Sequence, residues 1–274
     1  MDLRIFTQSC ANAYREIGEA HGWRKGRNAS RGYDLLTTPN NAWDDRTHER
    51  YLLLVQRHLS AVAGQLGESG RCYGSGNMSA AVTLARAAFV ESEKASWLLE
   101  DGVVWERRAA RAHIELLGNL DAQVRRLPKR LDDGYPNFVR KQWQVYRKQL
   151  RDEVIVELFG KRALSHDRDD ATLAGEELLT SSQLEERFAQ MLSADVPARE
   201  YIAAPDVLID PSVRVAVDLG AVVDVDEGVV ARSMIFAVEA WLSALAAWVR
   251  YNSWEMRVVD QLGRQLAGLL DPAT

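Results

Sequence analysis

"SMIFAVEAWLSALAAWV", residues 233–249, is the stretch whose environment decides the fold. It holds one charge, Glu239, in 17 residues and shows no polar side at the helical period. Two surroundings accept such a helix, the hydrocarbon of a bilayer or the middle of a protein core. A bilayer asks for about 20 apolar residues, and a carboxylate in mid-span is costly there. The segment therefore reads as a buried central helix near 229–250, and the chain as one without membrane association.

The same 3.6-residue period runs outward from it. Leu3, Phe6, Cys10, Ala13 and Ile17 predict an amphipathic helix over 2–20. Asn41 is the expected N-cap of a second helix through Leu66, carrying Leu52, Val55, Leu59 and Val62. "GESGRCYGSGN" (67–77) then reads as a chain break, and Ser79 opens a third helix to about Glu100. A fourth spans about Val104 to Leu127, stopped by Pro128. A fifth covers Phe138 to Phe159, closed by Gly160, with Val139, Trp143, Tyr146 and Leu150 on one predicted inward face. Ser182 with Glu185 makes a capping box for a short helix, residues 195–225 suit short strands or a loose helix, and helices near 227–251 and 253–270 follow. With no internal repeat and no sharp shift of composition, the expectation is one all-helical domain over 1–274. It is an all-α antiparallel bundle of seven to nine helices, with flexible polar segments near 22–42, 161–180 and 195–212.

Composition agrees with a globular chain: 274 residues, 47% apolar and 27% charged, enough to bury a sizeable core. Cys10 and Cys72 form neither a metal spacing nor a disulfide framework, so a reducing cytoplasm is expected and no structural metal. "MDLRIFTQSCANAYREIG" lacks the basic and apolar regions of a signal peptide. The large groups Met234, Phe236, Trp241, Trp248 and Trp254 exceed one core-facing stripe, which predicts a homodimer covering the surplus.

Charge is uneven. Residues 107–151 hold twelve Lys/Arg against four Asp/Glu, a local +8 inside a chain of net −5. Nucleic-acid or anion binding leaves that trace, and so does a solvated helical face. The basic groups are Arg125, Arg126, Lys129, Arg130, Arg140, Lys141, Arg147 and Lys148, interleaved with Phe138, Trp143 and Tyr146. They are candidate RNA contacts, phosphates pairing with the cations and bases stacking on the rings. Upstream, "WERRAARAHIELL" (105–117) sets Arg108, or Arg107, before His113. An arginine that holds a phosphate and a histidine that moves a proton would allow RNA cleavage by its own 2′-hydroxyl. Yet five helical residues turn through about 140°, and His113 falls with Ala109, Leu116 and Leu117 on the core side.

The run "AAVTLARAAFVESEKASWLLEDGVVWERRAARAHIELL" (80–117) resembles a group of actinobacterial helical proteins and is similar to the HEPN superfamily. That superfamily comprises helical dimers, some of them ribonucleases with an Arg-x(4–6)-His motif. The resemblance covers about 40 residues. It implies a helical homodimer that binds or cleaves RNA without a cofactor, with Arg108 and His113 as catalytic pair. Arg107 suits the polar residue usual after the motif's arginine; Arg108, followed by Ala109, departs from it.

A rival reading starts from Asp44, Asp45 and Glu49, spaced D-D-x-x-x-E at a helix start. Such carboxylates can hold Mg²⁺ on a prenyl diphosphate, as in class I terpene cyclases, and eight tryptophans would line a carbocation pocket. The second metal motif of that family is missing, and acids at a helix N-terminus are favoured by the dipole alone. A third reading is a non-catalytic interaction scaffold. "GRCYGSGN" lacks the Lys-Ser/Thr of a P-loop, and "HDRDD" (166–170) has no companion cluster. H-E-x-x-H, G-x-S-x-G and Cys-x-x-Cys do not occur, which removes the motif-defined zincins, serine hydrolases and dithiol redox proteins. Three carboxylates remain on apolar helices, Glu91, Glu93 and Glu239. Buried acids are expected at Glu91 and Glu239, paired with Arg86, Arg232 or Arg250 or, in the sharper alternative, lining a pocket.

Overall fold

The computed structural model describes residues 2–21, 45–126, 138, 140–146, 148–149, 152, 172–173, 176–177 and 226–270. The protein is all-α. Its helices are α1 (Leu3–His21), α2 (Asp45–Gly74), α3 (Met78–Leu98), α4 (Trp105–Arg126), α5 (Glu227–Tyr251) and α6 (Arg257–Leu270). The described residues between 138 and 152 are helical as well. Thr172–Leu173 (β1) and Glu176–Glu177 (β2) pair as a two-residue antiparallel ladder inside a stretch that the sequence suggests is polar linker. Asn41, the capping box at Ser182 and the 195–225 segment lie outside the described residues.

Contacts group the chain into two compact units: Met1–Arg31, Val55–Asp101 and Leu179–Thr274 in one, Gly32–Leu54 and Gly102–Leu178 in the other. In the first, α5 packs most extensively on α3 and also touches α1 and α6. Met234, Ala237, Ala240, Trp241, Ala244 and Leu245 of α5 are all 0% exposed, so the segment that decides the fold is a core helix of this unit. By length and hydropathy alone it would also cross a bilayer. Phe236 of α5 stacks on Phe89 of α3 with ring centroids 5.3 Å apart. Each such side chain taken from water contributes roughly 1.5–3 kcal/mol. Trp248 is buried too, and Trp254 stands edge-on to it at 5.9 Å. Of the large groups behind the dimer expectation, Met234, Phe236, Trp241 and Trp248 are buried within the chain and Trp254 is half-buried.

The caps explain where helices begin. Asn77, two residues before the predicted start at Ser79, accepts from Ala80 N–H at 3.2 Å, and Asp226 from Val229 N–H at 3.0 Å. α5 ends where the Asn252 amide donates to the Trp248 carbonyl at 2.9 Å and Ser253 turns to φ 50°, so α6 starts at Arg257 and not at 253. Tyr73 at the end of α2 donates to the Glu227 carboxylate at 2.8 Å, tying that end to the start of α5.

One expectation is corrected outright. Helix α2 does not stop at Leu66 but runs through the glycines to Gly74, leaving only Ser75–Asn77 as the turn. Gly67, Gly70 and Gly74 recur at three- and four-residue steps and form the face on which α1 lies. A Cβ on Gly67 would meet Ala11 at 3.4 Å, one on Gly70 would overlap the Thr7 hydroxyl, and one on Gly74 would stand 2.5 Å from Arg4 Cδ. The glycines serve close approach, which outweighs their cost of about 1 kcal/mol each in a helix interior.

Gly64, with nothing within 4 Å of its Cβ position, gives the matched control. Gly70→Ala is expected to destabilise the protein by about 1–3 kcal/mol through overpacking, whereas Gly64→Ala is expected to stabilise it by up to about 1 kcal/mol. Urea unfolding of the two variants checks both signs.

Candidate functional site

Helix α4 carries the Arg–His spacing, and the structure encloses it. Every residue from Arg108 to Glu115 is buried, with Arg108 at 6%, Arg111 at 4%, His113 at 3% and Glu115 at 2% exposure. Such a run leaves no outward face over two turns. Charged groups in that position are costly without partners, and none of these four is without one.

Arg108 shows what its guanidinium does there. Its Nε donates to the Val103 carbonyl at 3.1 Å and its Nη1 to the Tyr51 hydroxyl at 3.3 Å. Tyr51 packs edge-on against Trp105 at 5.5 Å, and His48 edge-on against the same ring at 5.0 Å. Arg108 thus closes the first turn of α4 back on its own entry and clasps it to α2 through an aromatic cluster. Periodicity singles out Leu52 and Val55 on α2 and passes over His48 and Tyr51, whose i, i+3 spacing beside a buried arginine is the signal that would have found them. His113, on the core side as its spacing suggests, lies about 140° around the helix from Arg108.

The acidic candidates sort differently. Glu91 and Glu239 are half-buried, and Glu93 is the enclosed carboxylate of α3 at 1% exposure. Glu91 does not pair with Arg86, Arg232 or Arg250. It bonds His58 Nδ1 on α2 at 2.5 Å and faces Lys94 Nζ at 3.6 Å. Burial pushes the Glu91 carboxyl up, but His58 and Lys94 together outweigh it and hold the group below the ordinary 4.5. Arg250 faces Asp101 at 3.9 Å. Asp44 and the side chain of Asp45 lie outside the described residues; Asp45 opens α2 and Glu49 is half-buried. Among the described residues no three His, Cys, Asp or Glu groups gather as metal ligands.

The described residues between 138 and 149 mostly face water. Phe138 is 59% exposed, Val145 53% and Tyr146 49%, so the face predicted to turn Tyr146 inward does not do so. Trp143 is half-buried, edge-on to Tyr146 at 6.2 Å and 78°. Lys141 and Lys148 are exposed and Arg140 is half-buried. Arg125 and Arg126 close α4, their side chains outside the described set, as are Lys129, Arg130 and Arg147. Compared with protein families, curated proteins and solved structures, the chain matches none.

Two outcomes follow from the buried groups. His113→Ala should lower stability by about 2 kcal/mol or more, from the cavity left by a buried ring, as read by chemical denaturation. Because the folded Glu91 titrates below its ordinary 4.5, its bonds stabilise the fold above about that pH and are lost as the pH falls through the lower, folded value. Thermal melts between acid and neutral pH should show a shallower acid decline in Glu91→Gln than in the parent protein.

Proposed function

We propose that this chain is a HEPN-like helical protein that binds RNA on the outward face of residues 138–149. The observation that carries the reading is the exposure of Phe138, Val145 and Tyr146 beside Lys141 and Lys148, in a stretch without a single Asp or Glu. Exposed cations supply the salt-dependent attraction to phosphate that dominates nucleic-acid affinity. The local +8 of residues 107–151 supports the same sign of partner, although Arg108 and Arg111 are spent inside the protein. Cleavage through Arg108 and His113 is the weaker half of the resemblance, since a phosphate holder and a proton carrier must touch RNA and these two are buried. Homodimerisation and a cytoplasmic setting belong to this proposal on the strength of the resemblance and the cysteine usage alone.

Anisotropy titration of a labelled mixed-sequence RNA tests it. Binding should weaken steeply between about 50 and about 200 mM salt. The double variant Lys141→Glu, Lys148→Glu should lose about tenfold or more in affinity with a smaller salt slope. Absence of binding at the lower salt, or binding indifferent to both lysines, overturns the reading.

A further inference from the structure

We infer that the RNA taken by this face is unpaired, its bases stacked on Phe138 and Tyr146 and its phosphates aligned along Lys141 and Lys148. The inference rests on the RNA-binding reading and names the kind of RNA and the groups that select it. A helix turns about 100° per residue, which sorts the described side chains of 138–149. Phe138, Gln142, Val145 and Gln149 fall in one stripe, all exposed. Lys141 and Lys148, seven residues apart and so about 10 Å along the axis, form one edge of it, and Tyr146 the other.

A lone exposed phenyl ring says little, since much of any protein surface is apolar. Here, among the described residues, the rings are interrupted by Gln142 and Gln149 and bordered by Lys141 and Lys148, a mixture that suits a charged, ring-bearing partner better than an apolar protein face. Tyr146 is also braced: the half-buried Trp143 meets it at 78°, a geometry that supports the phenol ring from its side and leaves it 49% exposed. A ring fixed before binding is a better platform than one that must be ordered by it. Base pairing hides the faces that such rings recognise, and the deep, narrow major groove of A-form RNA does not admit side chains. An unpaired strand presents a π-face at every base and a phosphate at every step, and the amides of Gln142 and Gln149 can bond exposed base edges.

The test compares an unstructured oligoadenylate with a duplex RNA of equal length, each labelled and titrated with the full chain. The single strand is expected to bind at least about tenfold tighter, and Phe138→Ala with Tyr146→Ala to remove about tenfold or more of that affinity while leaving duplex binding unchanged. Tyr146→Trp, which keeps a stacking surface, should retain it; circular dichroism verifies that helicity is the same in all variants. Equal affinity for duplex, or single-strand binding that survives loss of both rings, overturns the inference while leaving RNA binding in place. Displacement of the RNA by polyglutamate at equal charge overturns the RNA reading in favour of an acidic polypeptide, and failure to bind either RNA removes both.

Discussion

The broad apolar face of the 25-residue helix α5 must be covered, and the first unit is organised by that demand. A stripe through Arg232, Glu239, Ser243 and Arg250 stays half-buried or exposed, a polar side that its central segment does not show in the sequence. Coverage comes mainly from α3, with α1 and α6 also in contact, and small side chains are prominent among the buried groups of α3 and α5. Ala81, Ala85, Ala88 and Ala95 on α3 and Ala237, Ala240 and Ala244 on α5 are buried, and large groups such as Phe89, Phe236 and Trp241 fill the remaining volume. Short side chains let helix backbones approach toward the lower end of the usual 8–10 Å range, where dispersion contacts are most numerous. The α1–α2 seam takes the same solution further, with glycine in place of alanine. Tyr14 secures that seam by donating to the Gln56 carbonyl at 3.0 Å.

The second unit solves burial with polar groups. Arg108 is held by a backbone carbonyl and a phenol oxygen within a cage of Tyr51, Trp105 and His48. Such an arrangement constrains geometry more than it adds stability, since the desolvation of a cation offsets much of what its bonds contribute. An arginine so placed fixes the angle at which α4 leaves its turn. A sequence motif defined by an arginine and a histidine cannot distinguish that duty from phosphate binding, because both require a fork of donors near oxygen.

Helix positions were legible in the sequence because burial imposes a period, and the limits of α1, α4 and α5 follow it within a residue or two. Glycine breaks that legibility. At Gly67, Gly70 and Gly74 the same letter that marks a turn elsewhere marks a crossing, and only the partner helix, distant in sequence, tells the two apart. The helical stretch around residues 138–149 is ambiguous in the sequence for a related reason. A stripe of Val139, Trp143, Tyr146 and Leu150 is apolar enough to be a core face, and periodicity records a stripe without recording which way it turns. Of that stripe Tyr146 is exposed and Trp143 half-buried. Charge was legible only as a sum: Lys141 and Arg108 count alike in a sequence and could hardly differ more in exposure.

The packing of α1 also gives the protein two thiols of opposite character. Cys10 is fully buried on α1, and burial pushes its thiol up to about 12, whereas Cys72 sits half-buried near the end of α2. Thiolate is the species that alkylates, so at neutral pH the two sulfurs respond to reagent on separate clocks. Cys72 reports the folded surface, and Cys10 reacts only through an opening that lifts α1 from its seat. The unaltered chain therefore carries its own timer for the detachment of its first helix, read as the interval between the first and the second mass increment.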